Sequence, residues 1–388
     1  MKIIIVGSAH PYRGGLASFS ERLASEFVSE GHDVEIVTFT LQYPSFLFPG
    51  KTQFTDSPKP VQLDIVRRIN STNPFNWMKV GREIRDKNAD LVIFCYWMSF
   101  MAPSFGKIAR IVHRNGKTKC IALVHNMIPH EQNILDKILP PYFVKSMDGF
   151  IALSKSVADD IGKFDKEGKP RTFSPHPIYD HYGIRLDRNE ALQQLGLDQN
   201  CKYVLFFGLV RAYKGLDLLL QAFADSRLKD SNIKLIVAGE FYQDENIYSK
   251  QISDLGIEDK IIIHNEFIPD DKVNLYFSAA DIIAQTYKSA TQSGVTQIAF
   301  HFEKPMLVTN VGGLGEIVID RKSGYVVEPN ALDIADALDD FFANSRCADF
   351  EDGVRHEKSK YAWSIMTGKI VELYRLILHA ISKKCSQK

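Results

Sequence analysis

Short apolar runs recur along this chain, continuous rather than alternating and rich in β-branched residues, each followed by a segment of helical periodicity. Lys2–Val6 (KIIIV) is the first of them. A strand that is apolar at every residue has to be covered on both faces, which is the situation of a parallel strand between layers of helices. Repeated strand–helix alternation therefore implies parallel sheets with helices on both faces. The chain has 388 residues, too many for one ordinary domain and enough for two. The expected fold class is α/β, with two Rossmann-like, doubly wound parallel-sheet domains facing a cleft. Ligands of such sheets bind outside the carboxyl ends of the strands, so the loops after the strands carry the chemistry.

Gly14-Gly15 opens a helix over about Leu16–Glu30, which Gly31 ends. Further strands are expected at Asp33–Val37, Asp90–Cys95, Lys119–Val124 and Gly149–Leu153, with Ser154 as an N-cap after the last. Around residues 171–185 the character changes: Ser174-Pro-His-Pro-Ile-Tyr-Asp is a poor helix and a poor central strand, and reads as a linker. A second series follows, with strands at Tyr203–Phe207, Lys234–Ala238, Lys260–Ile263, Asp281–Gln285, Pro305–Thr309 and Gly324–Val327, and a helix at Gly294–Phe302. The expected domains are 1–180, on the acceptor side, and 185–362. In the last helix, 363–384, Trp363, Met366, Ile370, Leu373, Tyr374 and Ile377 share one face. That face has to be buried, either closing the second domain or crossing back to complete the first.

Lysine plus arginine equal aspartate plus glutamate, so the formal net charge is zero. This argues against a nucleic-acid partner for the protein as a whole. Cys95, Cys120, Cys201, Cys347 and Cys385 form no C-x-x-C pair and read as reduced thiols of a cytoplasmic protein. The first apolar run stops at Val6, too short for a signal peptide, and no stretch approaches a membrane span.

The strongest chemical signal is Phe207-Gly208-Leu-Val-Arg211-Ala-Tyr-Lys214-Gly215, which leaves a strand and enters a helix. Glycine permits close backbone approach. Arginine can grip phosphate in a bidentate manner, and lysine adds a point charge. Each charge-assisted hydrogen bond contributes about 1.5–3 kcal/mol. The alternative is a solvated helix start.

The G-x-x-R-x-x-K-G segment after a strand resembles glycosyltransferase family 4, retaining enzymes with the two-domain GT-B fold. Gly7…Gly14-Gly15, Leu123-Val-His125-Asn-Met-Ile-Pro129-His130-Glu131, Val237-Ala-Gly239-Glu240 and Val311-Gly-Gly-Leu-Gly-Glu316 are similar to further family segments, in the family's order, over nearly the whole chain. The resemblance implies a hexosyltransferase that uses a nucleoside-diphosphate sugar as co-substrate. It acts on a saccharide or lipid-linked acceptor in cell-surface polysaccharide or glycolipid synthesis. Arg211, Lys214 and His125 would act in catalysis. Gly14, Gly15, Gly208, Glu240, Thr291, Gln292, Ser293, Gly294 and Gln297 would bind the donor.

One departure stands out. The family carries two glutamates, seven positions apart, where this chain reads Tyr287-Lys-Ser-Ala-Thr291-Gln292-Ser293-Gly294-Val-Thr-Gln297. The Gln297 amide can still donate and accept at ribose hydroxyls. Residues 291–293 precede a helix whose free N–H groups favour anions. Gly14-Gly15 is not the dinucleotide fingerprint, which sets an NAD-dependent oxidoreductase aside. No Asp-x-Asp pair sits at a strand end, so no metal is required: Arg211, Lys214 and a helix N-terminus can neutralise a leaving diphosphate. Glu240 and Glu316 also read as an exposed turn and a helix start, and His130 and Glu131 as a helix start or an acceptor contact.

Trp97, Phe100, Met101 and Phe105 precede Lys107, Arg110, His113, Arg114, Lys117 and Lys119. This is either a core-packed helix with a basic outer face or a peripheral contact with the inner face of the plasma membrane. Two other functions remain open: a nucleotide-sugar epimerase or hydrolase, and a non-catalytic nucleotide-sugar-binding subunit.

Overall fold

The computed structural model describes residues 1–44, 52–55, 58–128, 134–242, 244–290 and 293–386. The chain forms two compact units. Unit 1 comprises Met1–His176 and Trp363–Lys388, and unit 2 comprises Pro177–Ala362.

The sheet of unit 1 contains β1 (Lys2–Val6), β2 (Asp33–Leu41), β3 (Asp64–Asn70), β4 (Leu91–Tyr96), β5 (Lys119–Val124), β6 (Gly149–Ala152) and β7 (Arg171–Phe173). Their order is β3-β2-β1-β4-β5-β6-β7, and every neighbouring pair is parallel. The central strands are the uninterrupted apolar runs: β4 (LVIFCY) is buried at all positions. The two strands absent from the sequence reading are at the edges. β3 (DIVRRIN) exposes Arg67 and Arg68, and β7 has three residues, of which two are exposed.

The helix Gly15–Ser29 buries Ala17, Phe19, Leu23, Ala24 and Phe27. The last helix, Trp363–Ser386, belongs to this unit. Trp363, Met366, Ile370, Leu373 and Ile377 lie in one buried cluster with Ile3 and Ile5 of β1, Ile93 of β4, and Phe19. Arg22 sits 5.2 Å over the Trp363 ring, and the Thr367 hydroxyl donates to Glu30. Of the two destinations open to this face, it takes the one that completes unit 1.

The aromatic residues considered for a bilayer contact are core. Trp97, Met101 and Phe105 are buried, and Phe100 packs against the same cluster. The cationic side chains beside them make ordinary local contacts: Arg110 bonds to Ser146 and covers the Tyr142 ring, His113 meets Asp148, and Lys117 meets Asp90. This segment is therefore a core-packed helix with a basic outer face. Among the described residues no helix is long and apolar enough to cross a membrane.

Unit 2 contains β8 (Lys202–Phe207), β9 (Ile233–Ala238), β10 (Ile261–His264), β11 (Ile282–Gln285), β12 (Met306–Thr309) and β13 (Gly324–Val327). The order is β10-β9-β8-β11-β12-β13, all parallel. This reproduces the first six positions of unit 1. In each sheet the strand order reverses beside the first strand, between β1 and β4 and between β8 and β11. At such a switch point the loops diverge and leave a crevice at the carboxyl ends.

Candidate functional site

The loop that leaves β8 is shaped by glycine. Gly208 (φ 91°) and Gly239 (φ 145°) pack back to back: a Cβ on Gly239 would lie 2.4 Å from the Gly208 carbonyl oxygen. Strand-like pairing continues past the sheet, since Val210 N–H donates to Glu240 O (2.8 Å) and Tyr242 N–H to Val210 O (3.0 Å). After Arg211 the chain makes the turn Ala212–Lys214 and reverses at Gly215, where φ is 67°. There the backbone presses on the end of β11. The Thr286 hydroxyl donates to Gly215 O (2.8 Å), and Lys288 N–H donates to Tyr213 O (2.7 Å). The loop thus spans the switch point. A Cβ on Gly215 would lie 1.9 Å from the Thr286 oxygen, and the left-handed backbone adds strain for any L side chain. Gly215→Ala is expected to lower Tm and to remove nucleotide binding, by thermal melt and calorimetry; an unchanged melt and affinity would refute this account of the turn.

Lys214 carries the electrostatic peculiarity of this loop. A Cβ on Gly208 would stand 3.4 Å from its Nζ, and the Tyr287 ring lies 5.7 Å below it. Among the described residues its ammonium has no ion pair or hydrogen bond. Burial, with the like charge of Arg211 adding to it, draws its pKa down to about 8. Its neighbour Lys288 is different: exposed, and paired with Asp217 at 2.6 Å. The Arg211 guanidinium lies 4.3 Å from the Tyr242 ring, and its buried Nε has no partner among the described residues. Two cations one turn apart, held in place yet uncompensated, form a site for a polyanion. Glu240 stands beside the loop, half-buried.

Across the switch point, β11 ends in a buried polar network. Gln285 Nε2 donates to Ser293 Oγ (2.6 Å), and Thr296 Oγ1 donates to Gln285 Oε1 (2.7 Å). Tyr287 and Ser293 hydroxyls are 3.1 Å apart. Ser293 also caps the helix Gly294–His301 by accepting from Val295 N–H. Its hydroxyl is therefore engaged, and an anion at this helix would meet backbone N–H groups. Gln297, one turn in, is fully buried, yet neither its Oε1 nor its Nε2 has a partner among the described residues. A buried unsatisfied amide costs about 1–3 kcal/mol, so an orphan on both atoms sets Gln297 apart from the other buried polar side chains described in this unit. Thr291 and Gln292 lie outside the described residues.

Three of the expected residues are in unit 1. Gly14 (φ 99°) caps the helix Gly15–Ser29 at the carboxyl end of β1 and has open space around its Cα. His125 follows β5, where its N–H donates to Tyr96 O (2.8 Å). Its ring is buried edge-on to Phe19 at 4.7 Å, and Nε2 has no partner among the described residues. Burial, then the neighbouring His176, depresses its pKa to about 3. His125 is thus a neutral imidazole that can exchange hydrogen bonds and cannot serve as a cation. Pro129, His130 and Glu131 lie outside the described residues. Glu316 is exposed in the short turn Leu314–Glu316.

Within unit 2 the structure therefore brings Gly208, Arg211, Lys214, Glu240, Ser293, Gly294 and Gln297 to the carboxyl ends of β8, β9 and β11. Gln285 and Tyr287 were missed by the sequence reading. Their signal was present: Gln285 is the one amide ending an otherwise apolar strand, IIAQ. One group of metal-binding composition occurs among the described residues, His113, Cys120 and Asp148. It lies at the opposite ends of the unit 1 strands, and Asp148 already accepts from Cys120 N–H and meets His113.

Two doubly wound units, one with a pair of cations at its switch point, define the architecture, and the relatives of the chain specify the family. The profile named Glycosyl transferases group 1 matches residues 187–360, and that named Glycosyltransferase Family 4 matches residues 13–175. A glycosyltransferase of Methanocaldococcus jannaschii is 23% identical, over 99% of this chain and 100% of its own. The lipopolysaccharide 1,2-N-acetylglucosaminetransferase of Salmonella typhimurium is 27% identical over 68% of each. The crystal structure of Anabaena HepE in complex with UDP-glucose superposes with a TM-score of 0.70 at 15% identity, covering 99% of this chain and 100% of that one. The protein is a glycosyltransferase with the GT-B fold. It belongs to glycosyltransferase family 4.

Proposed function

We propose that the protein moves a hexose-type sugar from a nucleoside-diphosphate sugar to a saccharide or lipid-linked acceptor, with retention at the anomeric carbon, in cell-surface polysaccharide or glycolipid synthesis. The observation that carries this reading is the half-buried, unpaired Lys214 beside Arg211 at the switch point of unit 2. The UDP-glucose bound to HepE and the lipopolysaccharide acceptor in the Salmonella enzyme's name support the substrate classes. Arg211, Lys214 and the N–H groups of Gly294–His301 neutralise the diphosphate as the sugar–oxygen bond breaks. The acceptor hydroxyl attacks from the face the diphosphate leaves, and its proton passes to the departing phosphate. Gln297 holds the ribose hydroxyls. With two cations and a helix N-terminus in place, this chemistry needs no metal. A lipid-linked acceptor would bring the protein to the inner face of the plasma membrane.

Thermal shift with UDP, GDP, ADP and their sugars tests the reading. A ligand at a hundredfold excess over its Kd adds about 2.7 kcal/mol to stability, and no response to any of them would overturn it. The absence of both family glutamates favours one second reading, a non-catalytic nucleotide-sugar-binding subunit. It predicts nucleotide binding without release of nucleoside diphosphate in the presence of acceptor.

The Lys214 pKa sets a pH signature. Its charge in the free protein is lost as pH rises through about 8, so kcat/KM for the donor should fall about tenfold per pH unit above that value. Stability responds with the opposite sign. The pKa is below the ordinary 10.5, so the unfolded chain holds more protons between the two values, and this group's contribution to stability rises with pH there. A donor kcat/KM flat to pH 10 would contradict the assignment of Lys214.

A further inference from the structure

The helix Gly294–His301 has eight residues, too short to persist without tertiary support. One segment of chain braces it at both ends. At its start, Gly294 faces the ring of Tyr179 so closely that a Cβ would lie 2.9 Å from the ring's Cε2. At its finish, His301 Nε2 donates to Gly183 O at 2.7 Å. Tyr179 is buried, 6% exposed. The segment is itself anchored, because Ile178 N–H donates to Tyr361 O (3.0 Å) and the Tyr361 ring packs on Phe300 at 5.4 Å. The His181 and Tyr182 rings meet at 4.0 Å, tilted by 38°, between the two braces. The chain passes from unit 1 into unit 2 at His176–Pro177, so the donor helix leans on the stretch by which the chain enters this unit.

We infer that Tyr179 is a positioning residue of the donor site: its ring fixes the N-terminus of Gly294–His301, and with it Gln297, in register with the Arg211–Lys214 loop. This rests on the donor-site reading proposed above. The side chain need not touch the donor. It acts through Gly294, whose missing Cβ leaves the space the ring fills. A change in the path of the chain around residue 179 then reaches the nucleotide site through one van der Waals contact.

The test is calorimetric binding of UDP, GDP and ADP to the full chain and to variants, with KM and kcat for the donor that binds. Tyr179→Ala is expected to weaken nucleotide binding and raise the donor KM about tenfold, part of the roughly hundredfold that a 1 Å misplacement can produce. The acceptor KM should not move. Tyr179→Phe, which keeps the ring, should restore affinity. Gly294→Ala should weaken binding in the wild type through the clash with the ring, and weaken it less in Tyr179→Ala, where the space is open. Wild-type affinity in Tyr179→Ala, or additive effects of the two substitutions, would overturn the inference. If the wild type binds none of the three nucleotides, the donor-site reading fails and this inference with it.

Discussion

Replacing Lys214 by alanine is expected to lower turnover roughly 100- to 1,000-fold, the usual consequence of removing one preorganised donor to developing charge. The lysine is half-buried, near Gly208 and over the Tyr287 ring, so its charge acts in a partly dehydrated setting. Lys214→Arg should not fully rescue, because a planar guanidinium presents its donors in a different geometry from a compact ammonium. Tm should rise slightly in Lys214→Ala below pH 8, since a charge held at an unfavourable pKa is gone. A stabilised protein with lost turnover is a combination that misfolding cannot produce. Turnover near wild type would remove Lys214 from the mechanism.

Deleting the chain after Ala362 is expected to have an effect of comparable size on folding. It removes Trp363, Met366, Ile370, Leu373 and Ile377 from the buried cluster over β1 and β4. Each such side chain contributes about 1.5–3 kcal/mol on burial, so the five together approach the whole stability of an ordinary domain, about 5–15 kcal/mol. Unit 1 should lose its cooperative melt and become susceptible to protease, whereas unit 2, whose sheet lies wholly within Pro177–Ala362, should keep its own transition. Two intact transitions in the truncated chain would contradict this assignment of the helix.

The central strands were legible in the sequence because burial on both faces makes them continuous apolar runs. Lys2–Val6 and Lys119–Val124 match residue for residue. Edge strands β3 and β7 were not legible, since a strand wet on one side carries charge, as in Arg67-Arg68, or is only three residues long. The anion loop was visible as cations after a strand. That Lys214 is unpaired while Lys288 is paired depends on Asp217, which lies 71 residues away from Lys288 in sequence. The state of His125 was equally hidden: its type suggests a titratable group, and only packing against Phe19 and His176 makes it neutral. The aromatic run at Trp97–Phe105 had two readings because core and membrane surface draw on the same side chains.

The placement of the helix Trp363–Ser386 also governs the order in which the protein is made. Synthesis runs from the N-terminal side, so the cluster over β1 and β4 lacks five of its side chains until the ribosome has passed Ile377. All of unit 2 is translated before then. Domains ordinarily fold in order from the N-terminus; here the five side chains that complete the first unit's core are the last of it to be made, after the whole of the second unit.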